Sequence, residues 1–328
     1  MASRIGALVV EAFAATSLAI VLLHLGRVKE AMATVERSYE IATAASDLEL
    51  QLRTRNALAS CLMDYAPDYD RGRRILMEGI ELSQRSGRRD FESWLWSNVA
   101  NYAFDQGRID EMEQAGRMCL EIGAALAQPY GTAAGNMSLG QAAFLRGELV
   151  AAQRHADAAV EAMDPHEEVQ AAPYQLLLHG WIARARGDEE MALERFLDAL
   201  EIVGDRSMLG MADELLSETI RTLVRMGRRD EVAPYLEGLR IVAQDRPNAE
   251  GQQWWAEGVV ATDPAEREAK LSAAVERFHR LTRRLDEARC LLDFADAGVD
   301  TTANVERARA LFADCGAEVY LREIDART

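Results

Sequence analysis

Residue types that bind metals or act as nucleophiles are present in this chain, but their spacing fits no catalytic site. None of the five histidines has a second ligand-type side chain at i+3 or i+4, and no GxSxG nucleophile elbow occurs. The segment DPHEE at 164–168 is typical of a turn and a helix N-cap rather than a metal site. We therefore expect no enzyme activity, no metal and no cofactor. The cysteines form neither a CxxC pair nor a cluster with histidine, which favours a reducing, cytoplasmic compartment; they are Cys61, Cys119, Cys290 and Cys315.

The charge balance of the chain argues against nucleic-acid binding. Its 328 residues contain 37 Lys and Arg against 54 Asp and Glu, a net charge of −17, whereas phosphate binding needs clustered cations. Three short basic clusters are flanked by acids, which is typical of solvated helix ends and turns. These clusters are Arg71 with Arg73–Arg74, Arg85 with Arg88–Arg89, and Arg280 with Arg283–Arg284.

The composition predicts helices and excludes extended β structure. Ala, Leu, Glu and Arg dominate, and aromatic residues make up only 6%, which is typical of strong helix formers. One apolar run, IGALVVEAFAATSLAIVLLHL at 5–25, is a candidate for a membrane-spanning helix by its composition. Glu11 interrupts it and leaves about 14 apolar-leaning residues, fewer than the roughly 20 that span a bilayer. We expect a buried helix here and no membrane contact.

Short glycine turns recur along the chain, each followed by a helix-forming segment. Five of them are LGRVKEA at Gly26, QGRIDEM at Gly107, RGELVAA at Gly147, RGDEEMA at Gly187 and MGRRDEV at Gly227. The last four glycines, 107, 147, 187 and 227, are 40 residues apart. The same interval indicates a further turn at Pro67, and another follows near Thr262. The pattern predicts repeated helix pairs in which a left-handed glycine ends helix A and acidic residues favour the start of helix B.

The pattern inside one unit resembles the tetratricopeptide repeat (TPR). Leu139–Gly140, Gly147, Ala152, Ala156 and Pro165 match its Leu-Gly, turn Gly, two spaced Ala and closing Pro. The resemblance implies an all-α, right-handed α-solenoid of tandem TPR-like helix pairs, with a period near 40 rather than 34 residues. We expect one domain over 1–328, with units at about 10–46, 48–87, 90–127, 130–165, 168–204, 207–244, 248–283 and 284–325.

A narrower resemblance concerns the C-terminal part. The runs TDPAEREAKLSAAVERFHRLTRRLDEARCLLDFADAG and VERARALFADCGAEVYLREI resemble the C-terminal helical-repeat regions of large ATP-binding LuxR-type transcriptional regulators and of ATPase-linked adenylate/guanylate cyclases. In those proteins the repeat region is taken to sense a ligand or partner. This chain departs from them, because it has no GxxxxGK[ST] phosphate loop and no basic helix-turn-helix tail.

The binding candidates are aromatic, amide and charged residues of the A helices, which line the concave face of such a solenoid. Asn98 occupies the position where peptide-binding TPR proteins often carry a peptide-holding Asn, one residue before Val99–Ala100. Trp254 and Trp255 are adjacent, so they cannot both be fully buried in the core. The full set of candidates is Trp94, Asn98, Asn101, Tyr102, Asp105, Asn136, Tyr174, Trp181, Arg184, Trp254 and Trp255.

Taken together, the sequence predicts a non-enzymatic, cytoplasmic scaffold of bacterial regulation or signalling that holds a protein or peptide segment in its concave groove. The alternative is a small-molecule-sensing regulatory domain of a transcriptional or nucleotide-cyclase system, which requires a closed pocket. The almost wholly apolar first helix also predicts that either another domain or a second copy of the chain covers it, because the end of a solenoid needs a polar cap or a covering partner. The second case is a homodimer.

Overall fold

The computed structural model describes residues 2–64, 68–163, 171–205, 212–244, 246–298 and 301–327. Within these ranges the chain forms seventeen α-helices, one short 3-10 helix at Arg229–Glu231 and no strand, so the predicted all-α class is confirmed. The α-helices are α1 (Ala2–His24), α2 (Val28–Ala44), α3 (Leu48–Asp64), α4 (Tyr69–Ser86), α5 (Arg89–Asp105), α6 (Ile109–Leu126), α7 (Pro129–Leu145), α8 (Leu149–Ala162), α9 (Ala172–Ala185), α10 (Glu189–Asp205), α11 (Ala212–Arg225), α12 (Ala233–Val242), α13 (Pro247–Val260), α14 (Pro264–Arg280), α15 (Arg284–Asp296), α16 (Thr301–Cys315) and α17 (Glu318–Arg327).

The helices are packed as tandem antiparallel pairs. The odd-numbered helices α3, α5, α7, α9 and α11 begin at residues 48, 89, 129, 172 and 212, at intervals of 41, 40, 43 and 40 residues. Each packs against the even-numbered helix that follows it, and odd-numbered helices also contact one another, as in α3 with α5, α5 with α7 and α7 with α9. The odd-numbered helices therefore form the inner layer of the solenoid, which is the layer predicted to line its concave face.

The turn glycines adopt the backbone conformation that the repeat pattern predicts. Gly147 has φ +72°, and Glu148 N–H donates to the Ala143 carbonyl at 2.8 Å, which closes the end of α7. Gly26, Gly107, Gly187 and Gly227 share the positive φ. The turn at Pro67 and the segment 164–168 lie outside the described residues.

The solenoid curls until its late helices meet its early ones. Asn248 Nδ2 donates to the Met63 carbonyl at 3.2 Å, and Gln106 Nε2 donates to Thr282 Oγ1 at 3.4 Å. On α17, Arg322 Nη1 donates to the Gly147 carbonyl at 3.0 Å. Because these partners are 175 to 185 residues apart, the inner layer encloses an interior rather than an open groove.

The first helix corrects the expectation of a buried apolar element. Within α1, Gly6–Leu23 has a mean hydropathy of 2.2, and only 28% of it is buried. It is long and apolar enough to cross a membrane by length and composition alone. One face packs on α2 and α3, while the other exposes Leu8, Val10, Leu18 and Val21. The contact with α2 and α3 leaves most of Gly6–Leu23 without full protein cover, which the apolar composition alone does not reveal.

Candidate functional site

Trp181 lies at the centre of the enclosed interior. It is only 4% exposed and is stacked between Phe104 and Phe144, with ring centroids 5.8 and 5.9 Å away. Its indole Nε1 donates to Glu218 Oε1 at 3.1 Å. The three rings come from α9, α5 and α7, so neighbouring inner helices meet at this residue. Aromatic stacking and a polar tip together hold Trp181 in one orientation.

Glu218 on α11 is a buried carboxylate surrounded by arginines. It accepts hydrogen bonds from Arg184 Nη1 at 2.5 Å, from Arg221 Nη2 at 3.3 Å and from Arg289 Nη2. Burial opposes ionisation of this carboxyl, but the three guanidinium groups outweigh burial and hold its pKa well below the usual range. Glu218 is therefore a charged anchor that joins α9, α11 and α15.

A cavity of about 440 Å³ lies beside this anchor, at the C-terminal end of α9. We name it the basic cavity, because five arginines line it against three carboxylates. Burial lowers the pKa of Arg221 to about 10, and burial together with Arg184 lowers the pKa of Arg225. Burial, which disfavours the charged form, is the main cause of both pKa shifts. The charged lining consists of Arg184, Arg221, Arg225, Arg289, Arg322, Glu189, Asp293 and Glu323.

A second cavity of about 100 Å³ lies at the N-terminal end of α9, on the other side of Trp181. We name it the acidic cavity, and its charged lining is Asp105, Asp213, Glu214, Arg246 and Arg283. Burial, followed by repulsion from Asp286, raises the pKa of Glu214 to about 8. Burial also raises the pKa of Asp105. Carboxyl groups outnumber arginines in this lining, whereas arginines outnumber carboxyl groups in the basic cavity.

A narrow neck of about 10 Å³ lies between the two cavities. It shares Phe104, Asp105 and Arg283 with the acidic cavity, and Phe144, Arg289 and Tyr320 with the basic cavity, while Trp181 lines all three spaces. A volume of this size holds about one water molecule. The two cavities therefore form one interior that is constricted at Trp181.

Five of the eleven residues predicted from the sequence line these cavities. Trp181 and Arg184 lie at the basic cavity, and Asn101, Asp105 and Tyr174 lie at the acidic cavity, which Trp181 also lines. The sequence placed these residues on inner helices, and the curling of the solenoid brings them to a common interior.

Four of the predicted residues are buried between helices instead of exposed to a ligand. Asn98 Nδ2 donates to Asn56 Oδ1 at 2.8 Å, and Tyr102 donates to the Ala59 carbonyl at 2.6 Å. Asn136 bonds to Thr132 and His155, and Trp255 Nε1 donates to Asp293 Oδ2 at 2.8 Å. Their polar groups satisfy one another across helix contacts, as buried polar groups must. The expectation that Asn98, Tyr102 and Asn136 are exposed was wrong, whereas a buried Trp255 agrees with the expectation that the two adjacent tryptophans are not both in the core.

The last two predicted residues lie outside both cavities. Trp94 is 39% exposed and makes edge contacts with Phe91 and Tyr130. Trp254 is half-buried beneath the guanidinium of Arg277, 5.2 Å from the ring centroid. Trp255 beside it is fully buried, so the two adjacent tryptophans do differ in exposure, as their helical spacing requires.

The charged residues of α11 and α15 were missed at the sequence level. Glu214, Glu218, Arg221 and Arg225 follow one another at i, i+4, i+7 and i+11, which places them on one face of α11. This spacing is the sequence signal that could have identified the charged face of α11. The basic cluster at Arg283 was interpreted as a solvated turn, and this was wrong for Arg283 itself: its Nε donates to Asp286 Oδ2 at 2.6 Å, and the residue is 7% exposed.

Comparisons with known proteins support the fold. No protein-family model and no curated protein matches this chain. The crystal structure of Rap protein complexed with Competence and Sporulation Factor matches 98% of this chain and 100% of that chain, at 12% identity and a TM-score of 0.57. Two further structures overlap less closely. PilF of Pseudomonas aeruginosa is 16% identical and matches 71% of this chain and 92% of its own, with a TM-score of 0.41. The TPR domain of P58(IPK) is 13% identical and matches 96% of this chain and 98% of its own, with a TM-score of 0.28. The fold is a solenoid of tandem TPR-like helix pairs. The narrower resemblance to LuxR-type regulators and cyclases stays a prediction.

Proposed function

We propose that this chain is a non-enzymatic binding module that holds a peptide or protein segment in the interior enclosed by its odd-numbered helices. The observation that carries this proposal is the pair of cavities that meet at Trp181. Their lining combines aromatic surface with amide and charged groups, and this mixture supplies both contact area and directional hydrogen bonds. Tyr174 is 48% exposed and lines the acidic cavity, where its ring can contact a ligand.

The regulatory part of the proposal rests on the fold and on the cysteines. Rap protein, whose fold this chain shares, is complexed with Competence and Sporulation Factor in its crystal structure. All four cysteines here are buried thiols outside any disulfide, which suits a reducing compartment. We therefore propose a regulatory or signalling role in a bacterial cytoplasm.

Selection from a random peptide library on the immobilised chain tests the binding function. Selected peptides are titrated against Tyr174→Ala and Arg225→Met, which alter one residue at each cavity. Both variants are expected to weaken binding at least tenfold while the circular dichroism spectrum is retained. Trp94→Ala and Val150→Ala, at exposed positions outside both cavities, are the matched controls. Equal affinity for all four variants, or loss of binding only with Trp94→Ala, would contradict an interior site.

A small-molecule-sensing function is the second candidate. The observation that favours it is the volume of the basic cavity, about 440 Å³, which lies within the range of small-molecule sites. A ligand that binds only the folded state raises its melting temperature. A thermal-shift screen of anionic metabolites at millimolar concentration is expected to give a stabilisation that Arg225→Met abolishes. A screen without any shift would exclude this candidate for the compounds tested.

We also propose that α1 pairs with α1 of a second copy. Its exposed apolar side chains at Val10, Leu18 and Val21 follow helical spacing, and Glu11 on the same helix is paired with Arg37 at 2.5 Å. A second copy can therefore cover this face without burying an unpaired charge. Light scattering is expected to show a dimer that Val10→Glu with Val21→Glu dissociates, whereas Val150→Glu does not. A monomer in which the same double variant abolishes flotation with liposomes would assign the face to a membrane instead.

A further inference from the structure

The two ends of α9 face cavities of different composition, because arginines predominate in the basic cavity and carboxyl groups in the acidic cavity. We propose that the ligand of the interior is a short linear peptide with free ends, bound with its C-terminal carboxylate in the basic cavity and its N-terminal ammonium in the acidic cavity. The inference rests on the proposed binding function and adds the chemistry and the direction of the bound chain.

The basic cavity is suited to a carboxylate. Arg221 Nε and Arg184 Nε are buried and make no hydrogen bond to any residue that the structure describes, although each lies 3.5 Å from a carboxylate oxygen, of Asp293 and of Glu189 respectively. Arg225 shares Glu189 with Arg184, at 3.6 Å. Glu189 is thus divided between two guanidinium groups, and an incoming carboxylate would supply the acceptor that they lack. Planar guanidinium groups bind carboxylates through paired hydrogen bonds.

The acidic cavity is suited to an ammonium group. Asp105 Oδ2 accepts from Tyr69 and its other oxygen lies 3.7 Å from Arg283, while Arg283 is more closely bound to Asp286. Asp213 and Glu214 add two further carboxyls from the first turn of α11. Asn101 and Asn248 line the same cavity and provide amide groups for the peptide backbone.

The separation of the cavities sets the length of the ligand. Tyr174 at the acidic cavity and Arg184 at the basic cavity are ten residues apart on α9, which is about 15 Å at 1.5 Å per residue. An extended chain covers about 3.3–3.6 Å per residue, so a peptide of about four or five residues spans this distance. The chain must pass the neck, so binding widens the space between Trp181 and Tyr320 and changes the environment of the indole.

Proton release provides a second signature. Charged groups surround Glu214 on three sides. Arg283, Asp286 and Arg289 lie on the α15 side, and Asp213 and Glu218 lie on its own helix. Asp105 and Arg246 lie across the cavity. Its pKa of about 8 leaves it mainly protonated at pH 7. A ligand ammonium beside it favours the ionised form. Binding at pH 7 therefore releases protons, and a ligand with a blocked N-terminus does not cause this release.

Four pools of random tetrapeptides without cysteine test the proposal: ends free, N-acetylated, C-amidated, and both blocked. Equilibrium dialysis with mass spectrometry measures how much of each peptide pool the protein retains. Tryptophan fluorescence reports the change in the environment of Trp181 at the neck. We expect the free-ended pool to be retained at least tenfold better than either singly blocked pool. Arg225→Met is expected to remove only the preference for a free C-terminal carboxylate. Glu214→Gln is expected to remove only the preference for a free N-terminal ammonium. Arg85→Met and Glu81→Gln, exposed on α4, are the charge-matched controls.

The outcomes separate this inference from the function on which it rests. Equal retention of all four pools would overturn the polarity while a peptide-binding interior stands. Loss of both preferences in Arg225→Met would overturn the assignment of ends to cavities. If no pool is retained but the library selection described above yields longer binders, the short free-ended ligand is wrong and the binding function holds. If neither assay yields a binder, both proposals fail.

Discussion

Arg289 on α15 donates a hydrogen bond to Glu218 on α11, across 71 residues of chain. Glu218 also accepts from Arg184 and Arg221, so one carboxylate holds three inner helices together. Arg221 in turn lies 3.7 Å above the ring of Trp255. The floor of the basic cavity is thus a charged and aromatic network rather than an apolar core, and its stability depends on complete pairing.

Replacing Glu218 by Gln is expected to destabilise the fold by about 3 kcal/mol or more, because three arginines would be left buried without a full counter-charge. Urea denaturation at pH 7 measures the change, with Glu81→Gln on the exposed surface as the control. The low pKa of Glu218 means that its contribution is present above the usual carboxyl pKa and is lost as pH falls through the lower folded value. Equal stability of the two variants would show that Glu218 is not the anchor.

Glu214 is expected to make stability fall as pH rises. Its folded pKa of about 8 lies above the ordinary value of 4.5, so the folded state binds a proton that the unfolded state has lost between these two values. Stability therefore decreases with a slope of up to about 1.4 kcal/mol per pH unit in this window. Thermal unfolding of the wild type and of Glu214→Gln from pH 5 to 8.5 measures the difference. Parallel pH profiles would contradict a buried, protonated Glu214.

Gly123→Ala is expected to destabilise the α6–α7 contact strongly. A Cβ at Gly123 would lie 2.4 Å from the backbone nitrogen of Thr132, and backbone atoms cannot move aside cheaply. At Gly204 on α10, no described atom outside the helix's own backbone lies within 4 Å of such a Cβ, so Gly204→Ala is expected to be neutral or to stabilise by about 0.5–1 kcal/mol. Denaturant midpoints of the two variants give the comparison, and a neutral Gly123→Ala would refute the close approach of these helices.

The native thiols are expected to react slowly. Burial raises the pKa of Cys119 to about 12 and also raises the pKa of Cys290 and Cys315, so the reactive thiolate is scarce at pH 8. Labelling with a chromogenic disulfide reagent should modify fewer than one thiol per chain within minutes in buffer, and all four in denaturant. Rapid labelling of the folded chain would show that these helices open readily.

Much of the fold was accessible from local pattern alone. The 40-residue spacing of Gly107, Gly147, Gly187 and Gly227 predicted helix pairs, because a left-handed turn needs glycine wherever it recurs. The inner position of α5, α9 and α11 followed from the same repeat. Among the candidates, Trp181, Arg184 and Tyr174 were placed correctly on inner helices because helix periodicity is a property of the chain itself.

Only the tertiary structure decided which of these residues face a cavity and what its charge is. Asn98 and Tyr102 are spaced like groove residues, yet their partners Asn56 and Ala59 on the neighbouring helix bury them. Arg283 belongs to a basic cluster in the sequence, but curling of the solenoid brings it to Asp105, 178 positions earlier in the chain. Superhelical closure depends on the sum of small packing angles between successive pairs, and no local pattern records that sum. Sequence periodicity therefore determined the helices and their inner faces, whereas closure determined the two cavities.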